Sequence, residues 1–224
     1  MSNSAPDSSI LGAEFDVSAD GGRATWPSIG RVQLLGPDDD VVAHLGRAPR
    51  RIAVAGTSGA GKTSWGRRIG ATLGLPHTEV DALFHGPAWT ERPEFLDDVR
   101  AVLARDRWVC DYQYPAARPL ISSRADVVLW LDLPVRTRMR QVVRRTWRRW
   151  RTREELWNGN LEPVPWSLWR GSKSIIVWAW TSRHSLDDLP GRLTTEAPGT
   201  ALVRVGSHAE AERWLARLVR STGA

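Results

Sequence analysis

The chain is 224 residues long, 42% hydrophobic and 25% charged, which suits one well-cored globular domain with an appendage and excludes two domains of usual size. A net charge of +6 favours anionic partners, whether nucleotides, nucleic acid or an acidic membrane surface, without choosing among them. A single cysteine, Cys110, excludes an intrachain disulfide or a cysteine metal cluster and fits a reducing cytoplasm.

Residues 1 to about 20 are rich in Ser, Asp, Gly and Ala and predict a loosely attached tail. They lack the basic start and apolar core of a signal peptide. Val32 to Leu35 and Val41 to Leu45 flank Gly-Pro-Asp-Asp-Asp, which predicts a small hairpin or edge addition. Asp38, Asp39 and Asp40 read as a solvated turn in preference to a metal site. Residues 1–50 are expected to be an N-terminal extension, partly disordered, and 51–224 the main domain.

Ile52 to Ala55 predicts a buried strand, and Ser64 to Leu73 a helix. Between them Gly56-Thr57-Ser58-Gly59-Ala60-Gly61-Lys62-Thr63 matches the phosphate-binding (Walker A) pattern G-x-x-x-x-G-K-[ST] at every required position. A loop that wraps a phosphate must aim successive backbone N–H groups inward, which glycine permits. Lys62 then supplies a point charge to the terminal phosphates, the Thr63 hydroxyl a magnesium ligand, and the helix opening at Ser64 its dipole. Among 31 Lys and Arg residues, lysine stands only at positions 62 and 173, so its placement in this loop is selective.

Leu73-Gly74-Leu75-Pro76 stops that helix, and His77 to Val80 reads as a second strand ending at Asp81. A carboxylate at a strand's carboxyl tip is well placed for chemistry in a parallel sheet; capping of the next segment is the simpler alternative. Ala82 to Pro93, with Phe84, His85, Trp89 and Arg92, reads as a loop suited to a second substrate, and Glu94 to Arg105 as an amphipathic helix. Trp108 to Cys110 predicts a third strand ending at Asp111, with Cys110 a buried apolar side chain. Ala116 to Ser123 is a short helical piece, and Asp126 to Asp132 a fourth strand.

A helix follows with Arg136, Arg138, Arg140, Arg144, Arg145, Arg148, Arg149, Arg151 and Arg153 interleaved with Val142, Val143, Trp147 and Trp150. So many like charges repel one another, so some of them should meet anions. Trp157-Asn158-Gly159-Asn160 is a turn, extended by Glu162 to Pro165, and Trp166 to Arg183 a Trp-rich helix. Ile175 to Trp180 is the longest purely apolar run, far short of the ~20 residues of a membrane span, so a soluble protein is expected. Pro190 to Gly199 reads as a linker, Leu202 to Val205 as a fifth strand, and Ser207-x-x-Glu210 as a capping box opening the last helix. Five strands alternating with helices predict a three-layer α/β fold with a parallel sheet.

The chain resembles the adenylate-kinase-like P-loop kinases, most closely the bacterial DNA topology modulation proteins or adenylate kinase related kinases. The matching residues are the phosphate loop, Glu79-Val80-Asp81-Ala82-Leu83, Arg107 to Asp111, Arg124 to Pro134, and Glu154-Glu155-Leu156-Trp157-Asn158-Gly159-Asn160-Leu161-Glu162-Pro163. The loop alone says nucleotide; the last motif is far more specific. The group often reads Asp-Gly-Asn-Tyr after the third strand, where this chain has Asp111-Tyr112-Gln113-Tyr114. The resemblance implies a nucleoside-monophosphate-kinase-like P-loop NTPase with five strands in the order 2-3-1-4-5, and an arginine-bearing lid at about 136–165. Arg140 and Arg144 would face adenine and phosphates, with Arg145 and Arg148 next in line.

The expected activity is transfer of the γ-phosphoryl of ATP to an unidentified small molecule. Phosphate contacts would come from the Gly56 to Ser64 stretch, including Thr57, Ser58, Gly59, Ala60, Gly61 and Lys62. Mg2+ would sit with Thr63 and Asp111, and Asp81 would anchor the acceptor or act as base. The rival expectation is a nucleotide-gated nucleic-acid binder using the interleaved Arg and Trp residues. Attachment of the same basic helix to acidic lipid is a third.

Overall fold

The computed structural model describes residues 32–161 and 175–223. The expectations for the tail before residue 20, for Glu162 to Pro165, for the start of the Trp166 helix and for Lys173 lie outside the described residues.

The sheet is built from β1 (Leu34–Leu35), β2 (Arg51–Ala55), β3 (His77–Thr78), β4 (Trp108–Tyr112), β5 (Val127–Leu131) and β6 (Ala201–Val205). All pairings are parallel and the order is β1-β6-β5-β2-β4-β3. The expected five strands in the order 2-3-1-4-5 are therefore corrected to six. The added strand comes from the N-terminal extension and pairs Leu34 with Leu202 and Leu35 with Val203 at the edge.

The expected hairpin partner is a helix, α1 (Val41–Leu45), because Asp40 accepts from the Val42 and Ala43 amides at 2.9 and 3.0 Å and so opens a helical turn. Asp39 accepts from the Gly36 amide at 2.8 Å. The acidic trio thus contains turn and cap ligands.

The remaining helices are α2 (Lys62–Leu73), α3 (Val80–Phe84), α4 (Phe95–Leu103), α5 (Arg118–Ser122), α6 (Val135–Thr152), α7 (Ile175–Thr181), α8 (Leu189–Glu196) and α9 (His208–Thr222). Two readings change here. The second strand stops at Thr78, and Asp81 falls in the first turn of α3. The expected linker at Pro190 to Gly199 is largely α8, in which the proline occupies the helix start where its missing N–H costs nothing. Ser207 caps α9 as expected, the Glu210 amide donating to its Oγ at 3.2 Å, whereas the Glu210 carboxylate accepts from the Gly206 amide, one residue before the cap, at 2.8 Å.

Strand alternation makes three layers. Ile52, Val54, Val127 and Leu129 face one core, with Trp65, Ile69, Trp214 and Leu218 from α2 and α9. Ala53, Ala55, Cys110 and Val128 face the other, with Phe95, Val99, Ile121, Leu189 and Leu193. Burying both faces is what a parallel sheet requires. β2 lies between β4 and β5, with Val54 in register with Asp111, so the loop after β2 emerges beside the Asp111 carboxylate.

At the opposite end of β5, Asp126 accepts from both Arg47 and Arg51 guanidinium groups and from the Arg50 and Arg51 amides. Those contacts tie the segment after α1 to the main sheet.

Candidate active site

The residues 56–63 form the turn between β2 and α2 that the motif predicts. Gly59 and Gly61 adopt φ of 81° and 90°, the left-handed region. Gly59 is also constrained by approach: a Cβ there would lie 2.6 Å from Val142 Cγ2 and nearer still to the Arg138 carbonyl oxygen. Helix α6 therefore rests directly on the loop.

Lys62 begins α2, and its burial lowers the ammonium pKa, partly offset by the charges of Asp111 and Asp81, while Arg145 and Arg118 lower it further. All four charges lie near enough to act on the Lys62 ammonium. Thr63 Oγ1 lies 3.5 Å from Asp111 Oδ2, and Asp111 Oδ1 is buried with no hydrogen-bond partner. Burial lifts the Asp111 carboxyl to about 7, which Lys62 opposes and the charges of Asp81 and Glu79 reinforce.

A partnerless buried carboxylate oxygen next to a hydroxyl is the donor chemistry a hard cation takes. No cluster of three or more His, Cys, Asp or Glu able to hold a metal occurs among the described residues. That donor set suits Mg2+, which keeps water and phosphate oxygens and needs few protein ligands.

Asp81 stands across from Lys62. Its Oδ1 accepts from Gln113 Nε2 at 2.6 Å and from the Tyr114 hydroxyl at 2.5 Å, and that hydroxyl lies 3.1 Å from His85 Nε2. Because the phenol gives its proton to Asp81, His85 Nε2 must be the donor in the second contact, which leaves Nδ1 as the unprotonated nitrogen of the neutral ring. Burial and the Asp81 charge push the Tyr114 pKa far up, so the phenol stays a donor. Gln113 and Tyr114 stand where the resembling group has its asparagine and tyrosine.

The arginine helix sorts by face. Arg138, Val142, Arg145 and Arg149 fall together on a wheel of 100° steps and face the body, with Arg138 and Val142 buried. Arg138 donates to Thr57 Oγ1 in the phosphate loop and to the Arg183 carbonyl at 3.1 Å. Arg140 and Arg144 lie on the opposite, exposed face with Arg136, Trp147 and Arg151.

The structure thus brings together Gly56, Thr57, Ser58, Gly59, Ala60, Gly61, Lys62, Thr63, Asp81, Asp111 and Arg145. It leaves Ser64, Arg140, Arg144 and Arg148 exposed, with Arg148 engaged with Glu154 at 3.3 Å. Arg138 is absent from the expected site. Its signal was the face it shares with Val142 and Thr146, both buried and uncharged.

His208 is a second unforeseen neighbour. Trp65 Nε1 donates to its Nδ1 at 2.9 Å and the Gln141 amide meets its Nε2 at 2.9 Å. An indole N–H only donates, so Nδ1 accepts in the first of these contacts. The imidazole borders Gly61, where a Cβ would lie 3.4 Å from Cε1.

No protein-family model matches the chain, and no curated protein matches it. Among solved structures the chain is similar to a gluconokinase from Sinorhizobium meliloti 1021, at 22% identity over 79% of this chain and 95% of that one, TM-score 0.47. It is also similar to a shikimate kinase from Acinetobacter baumannii, at 14% identity over 78% and 93%, TM-score 0.46. A sugar kinase from Janibacter sp. HTCC2649 follows at 18% identity over 76% and 92%, TM-score 0.43.

Proposed function

We propose that the chain transfers the γ-phosphoryl group of ATP to a small hydroxyl-bearing acceptor with Mg2+. The observation that carries this reading is the meeting of Lys62, Thr63, Asp111 and Asp81 at the mouth of the glycine loop. Phosphoryl transfer asks a protein mainly to hold donor, metal and acceptor in line and to neutralise charge. In this reading the loop amides and Lys62 hold the phosphates, and Thr63 and Asp111 hold Mg2+, which would neutralise charge on the phosphates. Asp81 anchors or deprotonates the acceptor hydroxyl. Arg145, on the inward face, takes the phosphate role that the resemblance implied for Arg140 and Arg144, and Arg138 fixes the loop through Thr57.

The buried Cys110 thiol, whose pKa burial pushes well above its ordinary value, suits a reducing cytoplasmic setting. No helix among the described residues is long and apolar enough to cross a membrane.

Lys62→Ala tests the reading. Metal-dependent ATP turnover should fall by about 100-fold or more with the melting temperature little changed. Undiminished turnover would remove the proposal. A second reading, nucleotide-gated nucleic-acid binding, is favoured by one observation: Arg140, Arg144 and the half-exposed Trp147 share the outward face of α6. DNA affinity that falls steeply with salt and changes with bound ATP would support it.

A further inference from the structure

The motif from Glu154 to Asn160 takes no part in the phosphate chemistry above, and the structure sets it against the acceptor side of the cleft. Two short turns of the same shape meet there. Antiparallel bridges join His85 to Glu91 and Glu155 to Leu161. Inside each, an amide donates to the carbonyl four residues on, Gly86 to Thr90 and Leu156 to Asn160, both at 2.7 Å. The central pairs are left-handed: Ala88 and Trp89 at φ 54° and 60°, Asn158 and Gly159 at 56° and 77°.

Two successive positive φ values define the mirror-image hairpin turn, for which Asn-Gly is a preferred pair. Ala and Trp are poor choices, because a Cβ in that region crowds the backbone carbonyl. The 157–160 turn can hold itself. The 86–90 turn has to be held.

Asn160 does the holding. Its side chain is buried, its Oδ1 accepts from the Trp89 amide at 2.9 Å, and its Nδ2 donates to the Gly86 and Trp157 carbonyls, each at 2.8 Å. It therefore bridges the left-handed pair from one end to the other. Asn158 donates to the His85 carbonyl, Trp157 stacks on the His85 ring at 6.0 Å, and Trp157 Nε1 donates to Glu79 Oε2 at 2.9 Å. From His85 the contacts run through Tyr114 to Asp81.

We propose that the Trp157–Asn160 turn, carried beyond the end of α6, is a template that imposes the 86–90 turn and so positions His85, Tyr114 and Asp81. The proposal rests on the reading of Asp81 as acceptor anchor, and it makes Asn160 a positioning residue. The first half of α6 touches the phosphate loop through Arg138, Thr57 and Gly59. A nucleotide bound by the loop and the inward arginines of α6 stabilises α6 in this position and, through Asn160, the acceptor turn.

Hydrogen–deuterium exchange of the full chain, with and without Mg2+ and a non-hydrolysable ATP analogue, tests this. Asn160→Asp keeps the acceptor toward Trp89, loses both Nδ2 donors and turns a carboxylate oxygen on two carbonyls. Without nucleotide, exchange of 85–91 should quicken about tenfold in Asn160→Asp while the central strands are unchanged. Adding Ala88→Gly, which relieves one left-handed residue, should recover roughly half of that protection.

In the wild type the analogue should slow both 56–63 and 85–91 about fivefold; in Asn160→Asp it should slow only 56–63. Gly159→Ala, strained at φ 77°, should reproduce the loss with the 160 side chain intact, which covers a failure of Asn160→Asp to fold. Unchanged nucleotide-free exchange of 85–91 in both variants, or no recovery with Ala88→Gly, overturns the template. Absence of analogue protection at 56–63 in the wild type counts instead against the nucleotide reading, and the nucleotide-free comparison still decides the template.

Discussion

Asp126 offers a perturbation whose size can be worked from its surroundings. The side chain is 1% exposed and accepts hydrogen bonds from Arg47, Arg51 and two backbone amides. Burial alone would lift its pKa, but the hydrogen bonds from Arg47, Arg51 and the Arg50 amide outweigh it and bring the carboxyl down to about 2, from an ordinary 3.8. Nearly two pH units are worth about 2 kcal/mol of stability for the ionised form. The Arg47 and Arg51 side chains are 49% and 30% exposed, so solvent screening trims this to about 1–2 kcal/mol.

Because the folded pKa lies below the unfolded one, this contribution is complete at neutral pH, begins to fade near the unfolded value and is lost as pH falls through about 2. Asp126→Asn adds the cost of setting an amide N–H group against guanidinium donors, for a total loss of about 2–4 kcal/mol at pH 7. Urea unfolding at several pH values reads both quantities. The gap between wild type and variant should shrink by about 1 kcal/mol between pH 7 and about pH 3. A gap that stays constant or widens on acidification would refute the account, since the variant has no carboxyl to titrate at that position.

Two further predictions concern α6. Gly59→Ala places a Cβ against Val142 and the Arg138 carbonyl at a left-handed φ, so α6 must lift off the loop; ATP turnover should drop about 100-fold, and stability by about 1–3 kcal/mol in thermal melts. Arg145→Ala should lower kcat about 10- to 100-fold, while Arg140→Ala and Arg144→Ala stay within about twofold, measured as initial rates of ADP release. Equal losses at Arg140 and Arg145 would show that the outward face of α6 turns toward the nucleotide during turnover.

Much of this architecture was legible because its signals are local. The run Ile-Ala-Val-Ala before a glycine loop, the Gly74 stop and the Ser207 cap each act within a few residues of the structure they specify. β1 was legible only as far as the choice between a hairpin and an edge addition, because a strand of two residues is defined by its partner, and Leu34 and Leu35 are placed at the sheet edge by Leu202 and Val203 from the far end of the chain. The 86–90 turn was hidden for a related reason. Ala88 and Trp89 carry no preference for positive φ, and the group that enforces it, Asn160, lies outside the segment. Asn-Gly at 158–159 was readable as a turn. That it could shape a second turn followed only from their contact.

The arginines of α6 show where periodicity stops short of function. A spacing of four residues puts Arg140 and Arg144 on one face of a helix, and it does the same for Arg138 and Val142, or Arg145 and Arg149. Spacing relates residues to each other and leaves the rotation of the helix about its axis free. That rotation is set by what can be buried. On the face of Arg138, Val142 and Thr146 offer an apolar and a short side chain, and both are buried. The opposite face carries Arg140, Arg144 and Arg151 with Trp147, whose charges would lose their hydration there. Hence the buried pair Val142 and Thr146 decides which arginines of α6 reach the phosphate loop: those on its face turn inward, and those spaced away from it remain in solvent.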